Sequence, residues 1–261
     1  AEASKKAYSD DIRSVTRWSR SKLDADKVTH LNDGDTEGFI SENETETVIC
    51  FRGSKGLGDW IANMQISHDD VSYGRIHKGF LEAFERVQDD VFGAMTRARV
   101  DSRNIVLTGH SLGGALAIIA GAQAHALIGE TPISSIYTFG MPKFCDQSAS
   151  QYIDRIYKSR FFRLVNHKDI VPRIPPGSYH AGKLFHFDKY GNLRITASGQ
   201  NGEAEALDAN DDLNLDDFLA LQSRSRIDLD PSAEGVIAGI IPGAKDHSIN
   251  EYIKVIRKLV D

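Results

Sequence analysis

At 261 residues the chain is long enough to bury a sizeable core, and its 41% hydrophobic and 26% charged content is ordinary for a globular protein. A formal net charge of −6 argues against nucleic acid as the main partner, because phosphate binding leaves a basic footprint. No apolar run approaches the roughly 20 residues of a membrane-spanning helix, so no transmembrane segment is expected.

The first residues, AEASKKAYSD, lack an initiator Met and an apolar signal core, and they read as a processed start. Residues 3–31 alternate apolar and charged positions at helical spacing and predict one or two helices. "EGFISENETETVICFRG" then gives two strand-like runs, 38–42 and 47–52, around a polar turn. Over 77–99, Phe80, Phe84, Val87, Val91 and Met95 recur every three or four residues, which predicts one amphipathic helix of about six turns. Asn104–Thr108 reads as a short strand, and Ser111–Leu127 as a helix apolar on nearly every side, hence buried.

Strands are further predicted at 134–140 and 160–166, with a helix over 147–158 between them. A hairpin over 184–196 turns at Lys189-Tyr190-Gly191-Asn192. The tail, 246–260, carries Ile249, Ile253 and Ile256 on one helical face. Strands alternating with helices imply a single α/β domain over 1–261, with a mostly parallel central sheet and helices on both faces.

The acidic, Gly- and Asn-rich stretch 198–217 reads as a solvated excursion. Counted from Asp208 as a calcium loop, it has Leu213 where Gly is required and Leu219 where Glu is required. Two cysteines, Cys50 and Cys145, are too few for a disulfide framework. Cys50 lies within Val48-Ile49-Cys50-Phe51 and reads as a buried free thiol, and neither cysteine has neighbours at metal-ligand spacing. No metal or cofactor is expected.

Chemistry concentrates at "VLTGHSLGGALAII", where a strand breaks into a helix at Ser111, with Gly109 and Gly113 two residues to either side. A turn this sharp lifts the central side chain above the sheet, and the following helix N-terminus offers positive potential and free N–H groups to a developing oxyanion. Gly and Ser also make ordinary turns, so Ser111 needs partners to count as a nucleophile. In a strand–turn–helix setting these follow in the order Ser, then Asp or Glu, then His.

Asp169 lies directly beyond the 160–166 strand, where the alternative is a turn cap before Pro172. Three histidines come later in the chain. His186 alternates with Phe185 and Phe187 and reads as structural, while His180 sits in a Gly/Ser/Tyr loop and stays open as a candidate. His247, in the loop before the last helix, is the best placed to swing over the serine. His110 and His167 are poorly placed to act as the base.

GHSLGG at 109–114, FRGS at 51–54, HKGF at 77–80, YTFGMP at 137–142, NHKDIVPRIPP at 166–176 and DHSINEY at 246–252 occur in the order found in the class 3, fungal-type triacylglycerol lipases. The chain resembles that family over roughly residues 35–255. The resemblance implies an α/β-hydrolase fold with Ser111 as nucleophile, Asp169 as orienting acid and His247 as base. It implies an oxyanion hole from Ser54 and the backbone N–H of Leu112. It also implies a lid helix over the site, with an ester of lipid at a lipid–water interface as substrate.

Periodicity places Leu57, Trp60, Ile61 and Met64 on one apolar face of a short helix, either packed on the core or, at the family's lid position, covering the site. Gly56 and Gly58 are candidate hinges. Before His247, Val236, Ile237, Ile240 and Ile241 form an apolar segment that either lines an acyl groove or connects through the core.

The apolar lid favours acyl glycerides over the aromatic sugar esters of related feruloyl esterases. Phospholipase A1-type hydrolysis uses the same chemistry, and a catalytically silent binding protein is the non-enzyme alternative. A secreted protein is expected, although the small cysteine count departs from the disulfide-rich secreted fungal members.

Overall fold

The computed structural model describes residues 1–157, 159–196, 214–227, 241 and 243–259. Its centre is β3 (Glu46–Phe51), β6 (Asn104–His110), β7 (Ile133–Phe139), β8 (Phe161–Asn166) and β9 (Lys183–Phe187), paired in that order and all parallel. Burial on both faces explains unbroken apolar runs such as Val48-Ile49-Cys50-Phe51, whose exposure never exceeds 7%. Antiparallel β1 (Lys27–Asp33) and β2 (Thr36–Glu42) extend one edge, and β10 (Leu193–Thr196) extends the other. A separate hairpin pairs β4 (His68–Val71) with β5 (Gly74–His77).

The predicted α/β architecture is present. One face of the sheet carries the large core cluster, built with α4 (Lys78–Glu85), α5 (Gln88–Val100), α6 (Leu112–Ile128) and α7 (Gln147–Tyr157). The Ala-rich α6 is buried continuously from Gly113 to Ala124, as its composition predicts. A second cluster packs Phe139, Leu164 and Phe187 against Ile249, Tyr252 and Ile253 of the C-terminal helix Ile249–Arg257. A third holds Phe39 and Cys50 beneath the N-terminal helices α1 (Glu2–Lys6) and α2 (Ile12–Lys22).

Three expectations are corrected. The helix expected over 77–99 is two helices, α4 and α5, because Asp89 and Asp90 favour a fresh N-terminus after Val87. Phe84 and Val87 stay buried, so both pieces keep the face the periodicity identified. The helical reading of 3–31 fails at its end, where Lys27–Asp33, with β-branched Val28 and Thr29, is an edge strand paired antiparallel with β2.

The acidic stretch 198–217 does not read as loop throughout. Its last residues begin a helix, α8 (Leu215–Ile227), with Asp216 and Asp217 in the first turn, while 198–213 lie outside the described residues. Cys50 and Cys145 are both buried and unbridged, and burial pushes the Cys50 thiol up to about 12.

Candidate active site

Ser111 stands between β6 and α6 at φ 58°, ψ −132°, a conformation that costs a non-glycine residue roughly 1–3 kcal/mol. The two flanking glycines allow it. A Cβ on Gly109 would overlap the Gly113 carbonyl, and one on Gly113 would overlap the Phe51 carbonyl at the end of β3. The Ser111 N–H donates to Phe139 O at 2.9 Å, tying the corner to β7. Leu112 opens α6, and Ser111 supplies no side-chain cap, so first-turn N–H groups and the positive end of a 17-residue helix lie beside the hydroxyl.

Asp169 and His247 come together. His247 Nδ1 donates to both carboxylate oxygens of Asp169 at 3.0 Å. Asp169 is 1% exposed, and its oxygens also accept from the Val171 N–H at 2.9 Å and the Tyr252 hydroxyl at 2.6 Å. These donors replace the water a buried carboxylate loses. Two bonds join the acid's loop to the base's loop: Asn166 Nδ2 donates to Asp246 O at 3.0 Å, and the Lys168 N–H donates to Asp246 Oδ2 at 3.3 Å. Ser111, Asp169 and Gly140 follow the carboxyl ends of β6, β8 and β7, the crevice where α/β sheets place their sites.

Gly140 fits the pair against β7. At φ 57° a Cβ there would lie 2.6 Å from Asp169 Oδ2 and 2.8 Å from His247 Nδ1. The other two histidines that follow Asp169 before His247 are engaged elsewhere. His180 Nε2 donates to Pro172 O at 2.7 Å, and burial drives its pKa well below the usual histidine value. His186 donates to His167 O at 2.9 Å, as befits a structural residue.

Ser54, Trp60, Met64 and Leu112 line one cavity of ≈ 660 Å³, which brings the two candidate oxyanion residues together with the apolar helix. That helix is α3 (Leu57–Asn63), with Met64 at its C-terminal cap. Ile61 and Met64 are buried, while Leu57 and Trp60 pack half-buried on the core, Trp60 stacked on Phe80 at 6.2 Å. Ser111 and His247 are only 3% and 5% exposed. Ile241 is buried in the same cluster as Met64, and Ile240, Val236 and Ile237 lie outside the described residues. Among the described residues no group of three or more His, Cys, Asp or Glu side chains is arranged to hold a metal, and no helix is long and apolar enough to cross a membrane.

Sequence reasoning missed the residues that hold the acid and base in place. Asn166, Asp246 and Tyr252 sit inside the motifs NHKDIVP and DHSINEY, where a polar residue beside Asp169 or His247 was the available signal. Tyr8 and His110, which also reach this site, carry no such signal.

A strained strand–helix serine, with an acid beyond a later strand paired to a histidine in the loop before the last helix, defines the α/β-hydrolase class. Residues 48–179 match the class 3 lipase family, and the chain belongs to it. A lipase of Rhizomucor miehei is 32% identical over 165 residues, covering 58% of this chain and 45% of that protein. The secreted mono- and diacylglycerol lipase 1 of Fusarium solani is 32% identical over 136 residues, covering 50% of this chain and 40% of its own. The chain thus spans less than half the length of either relative.

Among solved structures, a triacylglycerol lipase whose catalytic centre is formed by a serine-protease triad superposes with a TM-score of 0.55 at 27% identity. That likeness covers 64% of this chain and 69% of the other.

Proposed function

We propose that the chain works as one α/β-hydrolase unit that cleaves acyl esters of glycerolipids, with triacylglycerol as the favoured substrate. The observation that carries this reading is the strained Ser111 corner at the end of β6, together with the buried Asp169–His247 pair beyond β8. With Nδ1–H given to Asp169, His247 has its lone pair on Nε2 and takes the proton of Ser111 as the hydroxyl attacks the ester carbonyl. Asp169 holds that tautomer and stabilises the imidazolium. The N–H groups of Ser54 and Leu112 bind the oxyanion, a contribution of roughly 3–4 kcal/mol per donor in comparable sites. The imidazolium then protonates the departing alcohol. His247 next activates water, which attacks the acyl-serine and releases the fatty acid.

The α3 helix acts as a lid. Its apolar residues pack inward on the core, and opening would expose Trp60 and Leu57 to a lipid surface. Kinship with a lipase named as secreted supports action outside the cell, and the net charge of −6 suits a partner other than nucleic acid.

The deciding measurement is hydrolysis of p-nitrophenyl butyrate, then of triolein, phosphatidylcholine and methyl ferulate, across the concentration at which lipid forms an interface. The expected result is triolein turnover that jumps at the interface and is abolished by Ser111→Ala. A folded wild type without hydrolysis overturns the enzyme reading in favour of a binding protein. Preference for phosphatidylcholine or ferulate reassigns the substrate class.

A further inference from the structure

Tyr8 reaches the site from the N-terminal segment, more than a hundred residues from the serine. Its hydroxyl lies 2.8 Å from His110 Nδ1, and His110 Nε2 lies 2.6 Å from the backbone oxygen of His247. A carbonyl only accepts, so His110 carries its proton on Nε2. Nδ1 of the neutral ring therefore accepts, and Tyr8 donates to it. The two imidazole rings face each other at 4.5 Å with 32° between their planes.

The same hydroxyl reaches the oxyanion side. A Cβ on Gly53, the residue before Ser54, would overlap the Tyr8 oxygen and would lie 2.6 Å from His110 O and 3.0 Å from Ser111 Cβ. The Arg52 guanidinium sits 5.4 Å over the Tyr8 ring. The end of β3, the nucleophile corner and the base loop therefore converge on one tyrosine–histidine pair.

We propose that Tyr8 and His110 are positioning residues, whose chain Tyr8 O–H to His110 Nδ1 and His110 Nε2–H to His247 O sets where the His247 ring stands above Ser111. His110 touches no substrate atom; it acts through the backbone of His247. Burial, reinforced by the neighbouring His247, holds His110 well below the usual histidine pKa, so the ring stays neutral and the direction of the chain does not reverse at working pH. Burial likewise pushes the Tyr8 phenol up, so its proton stays available to donate.

The kinetic arm of the test rests on the hydrolase reading, and the spectroscopic arm does not. With p-nitrophenyl butyrate, His110→Asn removes the donor to His247 O and is expected to lower kcat about 10- to 100-fold with little change in KM. His110→Gln returns an N–H near the Nε2 position and recovers most of that loss. Tyr8→Phe, which keeps the ring, costs a few-fold in kcat and adds little to His110→Asn. Melting temperatures separate these effects from unfolding.

Independently, ¹⁵N NMR is expected to show His110 neutral and protonated on Nε2, with the His247 ring resonances broadened or split in His110→Asn. Proton occupancy on Nδ1, unchanged His247 resonances, or equal kcat for the Asn and Gln variants overturns the proposal. If the wild type hydrolyses no ester while the His247 resonances respond as expected, the hydrolase reading fails and the positioning chain stands.

Discussion

The Tyr252 hydroxyl donates to Asp169 Oδ2 at 2.6 Å and accepts from the Asn166 N–H at 3.0 Å, all within a fully enclosed site. Burial and the facing carboxylate push the Tyr252 phenol well above its usual range, so it remains a donor. Tyr252→Phe leaves Asp169 one donor short at an expected stability cost of about 1–3 kcal/mol. Freed from one anchor, the carboxylate holds His247 less well, and kcat on a soluble ester is expected to fall about tenfold. Calorimetric melting and steady-state kinetics check the two effects separately. Unchanged kcat would mean that the Val171 N–H and His247 alone orient the acid.

Gly140→Ala is expected to be far more damaging than its size suggests. The added methyl would press on Asp169 Oδ2 and His247 Nδ1 at once, and the residue's φ of 57° resists any side chain. Activity is expected to drop at least about 100-fold, because displacement of the reacting groups by about an ångström has that effect. Kinetics on purified, folded protein tests this. Near-normal activity would mean that β7 shifts to absorb the methyl.

The contrast between Ser111 and Tyr252 marks what the sequence could carry. Ser111 announces itself through Gly109, Gly113, a strand before and an apolar helix after, all within a dozen residues. Asp169 and His247 follow from chain order and from loops at element ends. Tyr252 shares a helix face with Ile249, and nothing local separates a core tyrosine from one that holds a carboxylate 83 residues away. The same limit explains the helix misread over 77–99. Its apolar period survives the break at Val87, because both helices pack on one core. The strand Lys27–Asp33 was masked by the helix before it, since its pattern becomes decisive only once β2 is paired alongside.

Acid is expected to weaken the fold before it titrates most carboxylates. Burial lowers His77 to about 4, and His110 and His180 are also held well below the usual value. Each binds a proton in the unfolded chain at about pH 6.5 and resists it when folded, so stability is full above that pH and declines as pH falls toward the folded value. For His77 alone the loss between pH 6.5 and 4 is on the order of 3 kcal/mol. Melting temperature followed from pH 7.5 to 4 is expected to fall steadily, and His77→Phe is expected to flatten part of the slope. A level profile over that range would show these rings to be protonated without penalty.

Gln222 of α8 holds the C-terminal end of the candidate lid. Its Nε2 donates to Ile61 O at 3.0 Å, which also accepts the Met64 N–H at 3.3 Å, and to Met64 O at 2.7 Å, just past the end of that short helix. Phe218 and Leu221 of the same helix are buried in one cluster with Ile61 and Met64. For α3 to swing outward, both bonds must break and this apolar contact must part. Gln222→Ala removes the bonds alone, about 1 kcal/mol each, which raises the open population by roughly tenfold or more. Hydrolysis of a dissolved short-chain ester below its aggregation limit is therefore expected to rise, with a smaller jump when an interface appears. Phe218→Ala should act in the same direction through lost packing. If both variants leave the ratio of interfacial to dissolved-substrate rates unchanged, α8 does not restrain α3, and the barrier to opening lies within the Trp60–Phe80 stack instead.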